Sequence, residues 1–393
     1  MTRIAFESTG RRIQPFDDPI GDVPIQNRPL SAWQADMVRD GGFERVERPE
    51  PPCLVVPDTL FATGDGLRRF VAAAAGRDAV LVVGPSLFAR STAFVQPGVE
   101  QLPDGGARFH EVRYVVKGDP PVDAVVDPME TVVALPVPAQ YTGGAKAELS
   151  LPRDPFLTLH HWVHLLWANQ AAGAIPLRRT PTWRGALTLL WAALRAFSVN
   201  RWRVLRQLSR VGRGCDIHPT ALIEGATLGD GVTVGPYARV LFSTVGDGAT
   251  IMAGAQVEAS TLGERAVVCQ GTVVRGCLLY PEAIAGQQVM QMCVLGKGVV
   301  TTLASYAIDL DFERPIRVPL DGALHSTGTQ FLGSAFGHRS RIGTGLWMSH
   351  GRMIPNDAVV IRHPDDVLRA IPEHLGAGPH VNEGGRLVPW VKR

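Results

Sequence analysis

The second half of the chain repeats one spacing of aliphatic residues, and this spacing restricts the fold more than any other feature. Between residues 211 and 274 the aliphatic side chains recur at steps of six, six and five, a period of 17 residues. They are Val211, Ile217, Ile223, Leu228, Val234, Val240, Val245, Ile251, Val257, Leu262, Val268 and Val274. An α-helix requires steps of three and four, and a flat strand requires strict alternation. The period therefore predicts short strands joined by tight corners, with three strands in each coil of a triangular prism.

Glycine follows the first aliphatic residue of each group, at Gly212, Gly229, Gly246 and Gly263. We expect these glycines at corners where the backbone needs angles that other residues disfavour. A stack of such coils is typical of solenoid proteins, which use the fold for many purposes. The repeat thus predicts an architecture and leaves the chemistry open.

The period also divides the chain. We predict an α/β domain over residues 1–177, a basic amphipathic connecting helix over 178–210 and the prism over 211–393. The six-residue spacing stops over 297–333, which predicts an inserted loop, and the tail HPDDVLRAIPEHLG (363–376) is typical of a short C-terminal helix. Long insertions in solenoids often form binding surfaces.

The α/β prediction for the first part depends on an alternation of segments. CLVVPDTLF (53–61) and DAVLVVGPSLFA (78–89) are typical of buried strands in a parallel sheet, and GDGLRRFVAAAAG (64–76) between them is typical of a helix. A strand, a helix and a second strand in this order indicate a βαβ unit.

Composition excludes several classes of protein. The net charge of +2 gives no reason to expect a nucleic-acid partner. Five cysteines without a CxxC pair predict free or buried thiols in a reducing cytosol, and no disulfide or zinc site. The chain has neither a signal-peptide pattern nor a run of about 18 apolar residues, so we expect a cytoplasmic protein without a membrane-spanning helix.

The connecting segment is strongly basic. No acidic residue lies between Asp154 and Asp216, and nine arginines do: Arg178, Arg179, Arg184, Arg195, Arg201, Arg203, Arg206, Arg210 and Arg213. Thr180, Pro181 and Thr182 are typical of a helix start. Apolar residues then follow at helical spacing, at Trp183, Leu187, Leu190, Leu194, Phe197, Leu205 and Leu208. One interpretation is a peripheral helix on an anionic inner-membrane surface. The interpretation that we favour is a helix that caps the open end of the prism.

Three histidines precede this segment, at His160, His161 and His164. Two of them share a helix face and could hold a metal, but no glutamate stands between them and no third ligand is evident. We therefore expect structural histidines at a seam between domains, and no metal site.

Several stretches resemble a known family of bifunctional enzymes. The coils resemble the left-handed parallel β-helix of hexapeptide-repeat acyltransferases. Residues 11–46, with NRPLSAWQ at 27–34, resemble the opening of sugar-1-phosphate nucleotidyltransferases, and Arg12 and Pro15 match the arginine and proline of their phosphate loop. HWVHLLWANQAA (161–172) is similar to the helix that closes that domain. DGALHSTGTQFLGSAFGHRSRIGTG (321–345) is similar to a segment of the archaeal-type enzymes that join a uridylyltransferase to an amino-sugar-phosphate acetyltransferase.

The resemblance implies a nucleotidyltransferase-like (Rossmann-like) α/β domain followed by a left-handed β-helix. Family members form homotrimers through prism faces, with acyl-CoA in the cleft between neighbours. Four departures stand out. The phosphate loop FESTGRR (6–12) has only Gly10, GDVP (21–24) lacks the lysine of the family's PKP segment, and Gln287 occupies the position of the family's general-base histidine. Thr329 and Gln330 replace the arginines that would meet a sugar phosphate. We therefore expect a degenerate nucleotidyltransferase-like domain.

Other groups could still carry chemistry. His325, His338 and His350 lie in or beside the insertion and the last coils, together with Asp309, Asp311 and Glu313. An imidazole oriented by a carboxylate is an adequate general base. We select His338, His325 and Asp311 as candidate catalytic residues, and Arg339, Arg341 and Gly343 as candidate contacts for coenzyme A. The alternative is that each is an ordinary surface residue of a solenoid corner.

Two functions follow from these expectations. The first is acyl transfer from acyl-CoA to an amine or hydroxyl of a sugar-like metabolite by a homotrimer. The second is a non-catalytic scaffold, or a nucleotide-sugar-binding pseudoenzyme, that keeps both folds after losing both active sites.

Overall fold

The computed structural model describes residues 2–134, 148–179 and 182–390, which form a mixed α/β part followed by a prism of parallel strands. The described helices, α1 to α6, are Leu30–Gly41, Gly64–Ala74, Leu87–Thr92, Trp162–Arg179, Thr182–Ala196 and Arg201–Gln207. The strands before the prism, β1 to β15, are Thr2–Glu7, Arg12–Ile13, Asp18–Pro19, Pro24–Ile25, Arg28–Pro29, Phe43–Val46, Cys53–Pro57, Leu60–Ala62, Ala79–Val83, Val99–Gln101, Ala107–Val115, Val122–Val126, Glu130–Ala134, Glu148–Pro152 and Phe156–Thr158.

The main sheet of the first part has the strand order β12–β9–β11–β7–β1–β6, and β10 pairs with β11. The predicted buried strands are β7 and β9, and the predicted helix between them is α2, whose N-cap Thr63 accepts a hydrogen bond from Gly66 N. Strand β11 lies between β7 and β9 and runs antiparallel to both, so the sheet is mixed and not purely parallel.

The prism has three faces. Face 1 consists of Arg210–Val211, Thr227–Leu228, Thr244–Val245, Thr261–Leu262, Leu278–Leu279, Val294–Leu295, Ala335–Phe336 and Met353–Ile354. Face 2 consists of Asp216–Ile217, Thr233–Val234, Thr250–Ile251, Val267–Val268, Ile284–Ala285, Val300–Thr301, Arg341–Ile342 and Val359–Val360. Face 3 consists of Leu222–Glu224, Arg239–Leu241, Gln256–Glu258, Val273–Arg275 and Val289–Gln291, then Tyr306–Ala307 and Trp347–Met348.

Each predicted aliphatic position lies in one of these strands, and the side chains of the inner coils fill the prism core. Val257 on face 3, for example, is fully buried and pairs in parallel register with Val240 and Val274. The predicted coil architecture is therefore confirmed. The five cysteines are free thiols.

The glycines after the first aliphatic residue serve close packing and not unusual backbone angles. A Cβ atom on Gly263 would lie 2.4 Å from the backbone nitrogen of Pro281 in the next coil, and one on Gly246 would lie 2.7 Å from Glu264 N. The positive φ angles fall instead at other corner residues, such as Gly248 and Gly254. The four glycines lie at corners as predicted, but the predicted reason, an unusual backbone angle, was wrong.

The insertion is shorter than the predicted 297–333. Val300–Thr301 and Tyr306–Ala307 continue faces 2 and 3, so the chain leaves the prism only after Ala307 and returns at Ala335. Sequence spacing missed this coil because Thr301, which is 2 % exposed, occupies an inward position that other coils give to an aliphatic residue. The insertion contains a hairpin, Arg317–Leu320 with Ala323–Ser326.

The predicted C-terminal helix is also wrong. The tail has a 3-10 turn at Pro364–Asp366 and a hairpin of His380–Glu383 with Arg386–Pro389. Pro372 would lack a backbone donor within the predicted helix, and the tail residues are almost all exposed, so no packing compensates for poor helix formers.

The connecting segment 178–210 is two helices, α5 and α6, and not one. The predicted start at Thr180 and Pro181 lies outside the described residues. Helix α6 packs beside the first coils, where Leu205 O accepts a hydrogen bond from Gly225 N. Helix α5 leaves the predicted stripe in solvent, so it does not cap the prism. None of the described helices combines the length and the apolar character needed to cross a bilayer.

One continuous core joins the two parts of the chain. It includes Trp162 of α4, Ile13 and Phe16 from the first part, and the outward side chains Leu278 and Val294 of face 1. Farther along face 1 the contact is polar, because Gln26 Nε2 donates to Thr261 Oγ1 at 3.0 Å and Asn27 Nδ2 to Leu262 O at 2.8 Å. The α/β part therefore covers face 1 of its own prism.

Candidate functional site

The predicted site residues lie on different corners of the prism. His338 and Arg339 occupy the corner between faces 1 and 2, and Gly343 occupies the corner between faces 2 and 3. Asp311 lies early in the insertion, which leaves from the corner between faces 3 and 1, and His325 lies on the insertion hairpin. The fold therefore does not gather the six residues into one site. It forms instead two separate pairs of a histidine and a carboxylate.

The first pair is His338 with Asp18. His338 Nε2 lies 2.9 Å from Asp18 Oδ1, and His338 Nδ1 accepts a hydrogen bond of 2.8 Å from the backbone N–H of Lys297. An imidazole nitrogen that accepts an N–H carries no proton, so the proton resides on Nε2 and points to Asp18. Both nitrogens are thus used within the chain, and His338 is only 8 % exposed.

The surroundings of His338 close this corner. The rings of Phe16 and Tyr280 each lie 5.2 Å from the imidazole, centre to centre. Asn356 Oδ1 accepts from His338 N at 2.7 Å, and Asn356 Nδ2 donates to Phe16 O at 2.8 Å. Burial and the charge of Asp18 raise the pKa of the Tyr280 hydroxyl well above its usual value, so this phenol stays neutral. His338 and Asn356 therefore hold the α/β part against the prism.

The predicted coenzyme A contacts do not form a pocket with His338. Arg339 makes two hydrogen bonds of 2.6 Å to Asp357, which raise the pKa of the guanidinium and lower that of the carboxyl. Arg341 projects outward from face 2 and is exposed. An arginine already paired with a carboxylate offers a phosphate little attraction. Of these two arginines, only Arg341 has no ion pair with a described residue.

The second pair is His350 with Asp311. His350 Nε2 lies 3.6 Å from Asp311 Oδ2, and the two side chains are 22 % and 26 % exposed. Backbone N–H groups of Glu313 and Arg314 donate to Asp311 Oδ1 and hold the pKa of this carboxyl below its ordinary value. His350 Nδ1 is buried and has no hydrogen-bond partner among the described residues. The pair is more open than His338 with Asp18, and its imidazole retains one unused nitrogen.

His325 does not join either pair. It is exposed on the insertion hairpin, where it lies opposite Val318. The candidate catalytic set His338, His325 and Asp311 is therefore distributed over three places in the molecule.

Gln287, which the sequence resemblance aligns with a general-base histidine, is turned into the protein. It is 1 % exposed, and its Oε1 atom is buried without a hydrogen-bond partner in the described structure. The coil is one residue shorter here, because Val273 pairs with Val289, and Gly286 N donates to Thr301 Oγ1 at 3.0 Å. Neither its chemistry nor its position allows Gln287 to take a proton from a substrate.

At the carboxyl edge of the α/β sheet, hydrogen-bond donors are engaged by carboxylates of the chain. Arg11 makes hydrogen bonds of 2.7 and 2.6 Å to Glu111, and both the backbone N–H and the hydroxyl of Thr9 donate to Asp58 Oδ1. In open α/β sheets, nucleotide phosphates bind at this edge and accept hydrogen bonds from backbone N–H, hydroxyl and guanidinium groups. Here the donors are already used by carboxylates, which would also repel a phosphate. Arg12, matched to the family's loop arginine, pairs with Asp17 at the exposed surface.

The three histidines before the connecting segment lie between the two parts of the chain. His164 is fully buried, and its Nδ1 accepts from the backbone N–H groups of His160 and His161. His161 Nε2 lies 3.2 Å from Pro319 O in the insertion, and burial lowers the pKa of His161 to about 3. In the described part of the chain no three metal-ligating side chains converge. The observed contacts are those of structural histidines at a seam.

Sequence reasoning missed the partner that matters most. Nothing near Asp18 in the sequence indicates a contact with His338, because the two residues are 320 positions apart. The pairing of His350 with Asp311 did have a signal: His350 follows the first face 3 strand after the insertion, and Asp311 follows the last face 3 strand before it.

No protein-family model matches the chain, and no curated protein matches it significantly.

Proposed function

We propose that this protein is a non-catalytic scaffold, in which a nucleotidyltransferase-like domain is fixed on one face of a left-handed β-helix. The observation that carries the proposal is the engagement of both His338 nitrogens within the chain. A general base needs a free lone pair within reach of the substrate proton. Gln287 supports the same conclusion, since it is buried at the position where the family resemblance places the base.

The sheet edge of the first domain supports a loss of nucleotidyl transfer. Its Thr9 and Arg11 donors are paired with Asp58 and Glu111, and no glycine-rich loop supplies further backbone N–H groups. The proposal therefore assigns neither a nucleotide nor an acyl-CoA as a substrate.

The proposed assembly is a homotrimer through the prism faces that remain uncovered. Face 1 is covered by the α/β part, whereas face 2 presents an outward row of apolar side chains, Val267, Ile284 and Val300, in its middle coils. Such a row is suited to pack against a neighbouring prism.

Calorimetric titration of the full chain with acetyl-CoA and, separately, with UTP tests this proposal. We expect no saturable heat with either ligand. Saturable acetyl-CoA binding that weakens in an Arg339→Ala, Arg341→Ala double variant would overturn the scaffold in favour of an acyltransferase. A matched variant at Arg314→Gln, on the exposed insertion loop, controls for the loss of charge.

A second candidate is acyl transfer through His350, favoured by the proximity of this imidazole to an ionised Asp311. In that reaction His350 Nδ1, brought into contact with the acceptor, would take the proton of the amine or hydroxyl that attacks the thioester carbonyl. The C–S bond would break, the acyl group would remain on the acceptor, and the imidazolium, stabilised by Asp311, would return the proton to the departing thiolate. If thiol release from acetyl-CoA is detected with any sugar acceptor, we expect His350→Gln to lower the rate by roughly 100-fold or more. The matched variant His338→Gln distinguishes the two histidines. If it loses activity, the pair of His338 and Asp18 carries the reaction and not the pair of His350 and Asp311.

A further inference from the structure

Helix α5 presents its large apolar side chains to solvent. Ala192 is fully buried, whereas Trp183, Leu187, Leu190 and Leu194 are 60, 56, 56 and 66 % exposed. At 100° per residue these four exposed residues project from one side of the helix, and Ala192 projects from the other. The arrangement is the reverse of an ordinary surface helix, whose apolar stripe faces the core.

The exposed stripe is continuous. It runs along the 15 residues of α5, about 22 Å at 1.5 Å per residue, and is extended by Phe197 and Val199, both 95 % exposed. Single exposed leucines are ordinary, but a contiguous apolar row on a protein surface marks a place of contact.

Positive charge borders this stripe. In three places a guanidinium lies over a neighbouring indole, at 5.0, 5.2 and 4.6 Å from the ring centre: Arg184 over Trp183, Arg195 over Trp191 and Arg201 over Trp202. Within the described residues none of these arginines forms an ion pair with a carboxylate, and the sequence has no acidic residue from 155 to 215. The surface thus combines tryptophan, leucine and uncompensated arginine.

We propose that α5 docks on the anionic headgroup region of a lipid bilayer, with its axis parallel to the membrane plane. Leucines would enter the boundary of the acyl chains, and tryptophans and arginines would remain at headgroup level, which is where these residue types are most stable. The charge pattern disfavours the alternative of a second copy packed on the same stripe. Two α5 helices packed face to face would oppose arginine with arginine and supply no carboxylate.

Vesicle co-sedimentation of the full chain tests the proposal. The vesicles are phosphatidylcholine alone, and phosphatidylcholine mixed with phosphatidylglycerol. We expect binding to the mixed vesicles, weaker or no binding to phosphatidylcholine, and a decrease with added salt because exposed charges are screened. Equal binding to both vesicles, or none to either, overturns the proposal.

Two variants separate the apolar and the charged contributions. In Leu187→Ser, Leu190→Ser we expect binding to the mixed vesicles to fall by at least tenfold for each leucine. In Arg184→Gln, Arg195→Gln we expect a loss of about fivefold for each arginine. Matched controls at exposed positions away from α5, Ile371→Ser and Arg314→Gln, should bind as the unchanged protein does.

Circular dichroism and sedimentation velocity of the same variants show whether a loss of vesicle binding comes from a change in folding or in oligomeric state. Because the replaced side chains lie in solvent, we expect unchanged helix content and an unchanged oligomeric state. If the leucine variant changes its oligomeric state while vesicle binding is unaffected, the stripe is an interface between protein chains and the lipid proposal is wrong.

Discussion

Helices α4 and α5 follow one another in the chain and share a composition rich in tryptophan, leucine and alanine, yet they have opposite environments. In α4, Trp162, Val163, Leu165 and Leu166 are at most 1 % exposed, because this helix lies between the α/β part and face 1 of the prism. In α5, the large apolar side chains lie in solvent. Apolar content alone therefore does not distinguish a helix that joins two domains from one that presents a surface.

The polar residues do distinguish them. Asn169 of α4 accepts from Gln26 N at 2.8 Å and donates to Pro24 O at 3.0 Å, and His161, just before α4, contacts Pro319. In α5 the two arginines, Arg184 and Arg195, have no carboxylate partner in the described structure, and Thr188 donates only to Arg184 O of its own helix. The buried helix α4 therefore has amide and imidazole groups with fixed hydrogen-bond partners. The exposed helix α5 has arginines without carboxylate partners in the described structure.

The largest expected difference between the two helices is in core packing. Trp162→Ala should lower the free energy of unfolding by about 3–5 kcal/mol, because it leaves a cavity in the joint core. Trp183→Ala should change it by no more than about 0.5 kcal/mol. Urea denaturation followed by circular dichroism measures both. Equal losses in the two variants would mean that α5 is covered in solution.

A smaller difference is expected from hydrogen bonding. Asn169→Leu removes both the acceptor of Gln26 N and the donor to Pro24 O in a site that is 3 % exposed, and should cost about 1–3 kcal/mol for the groups left unpaired. Thr188→Val, which loses only an exposed bond within α5, should be neutral to within about 0.5 kcal/mol. The same denaturation series applies. If Asn169→Leu leaves the free energy of unfolding unchanged, a fixed contact between α4 and the segment 24–26 is contradicted.

The last expected effect, about 2 kcal/mol between about pH 7 and about pH 5, is a change in pH dependence. Burial lowers the pKa of His161 to about 3 in the folded protein, whereas an unfolded histidine titrates near about 6.5. Below that pH the unfolded state binds a proton that the folded state refuses, so stability falls as pH decreases, by about 1.4 kcal/mol per pH unit for this one group. His161→Gln can still donate to Pro319 O and should give a flatter curve between about pH 7 and about pH 5. His363→Gln, in the exposed tail, is the control, and a slope identical in all three proteins would contradict the assignment.

Much of the fold could be predicted from local sequence. The aliphatic spacing placed the strands of the prism, and the segments at 53–61, 64–76 and 78–89 placed β7, α2 and β9, because the side-chain period reports which direction each residue faces. The prediction was wrong where inward positions hold atypical residues, as at Thr301. It was also wrong where proline-rich chain has no surface to pack on, as in the tail.

The candidate site could be predicted far less well. The sequence selected His338 and Asp311 as members of one catalytic cluster. The structure instead pairs His338 with Asp18 and Asp311 with His350, at different corners of the prism. A residue type indicates what a side chain can do, whereas its partners depend on which distant segments the fold brings to the same corner.

The sequence alone determined that the second half winds into a three-sided stack of parallel strands, since that outcome depends on residues six or seventeen positions apart. Only the tertiary structure decided that His338 is closed by Asp18, that Gln287 faces inward and that the stripe of α5 faces outward. These three outcomes depend on which surface of one segment meets which surface of another. Burial affects both stability and reactivity, and it depends on how the segments pack together and not on any residue by itself.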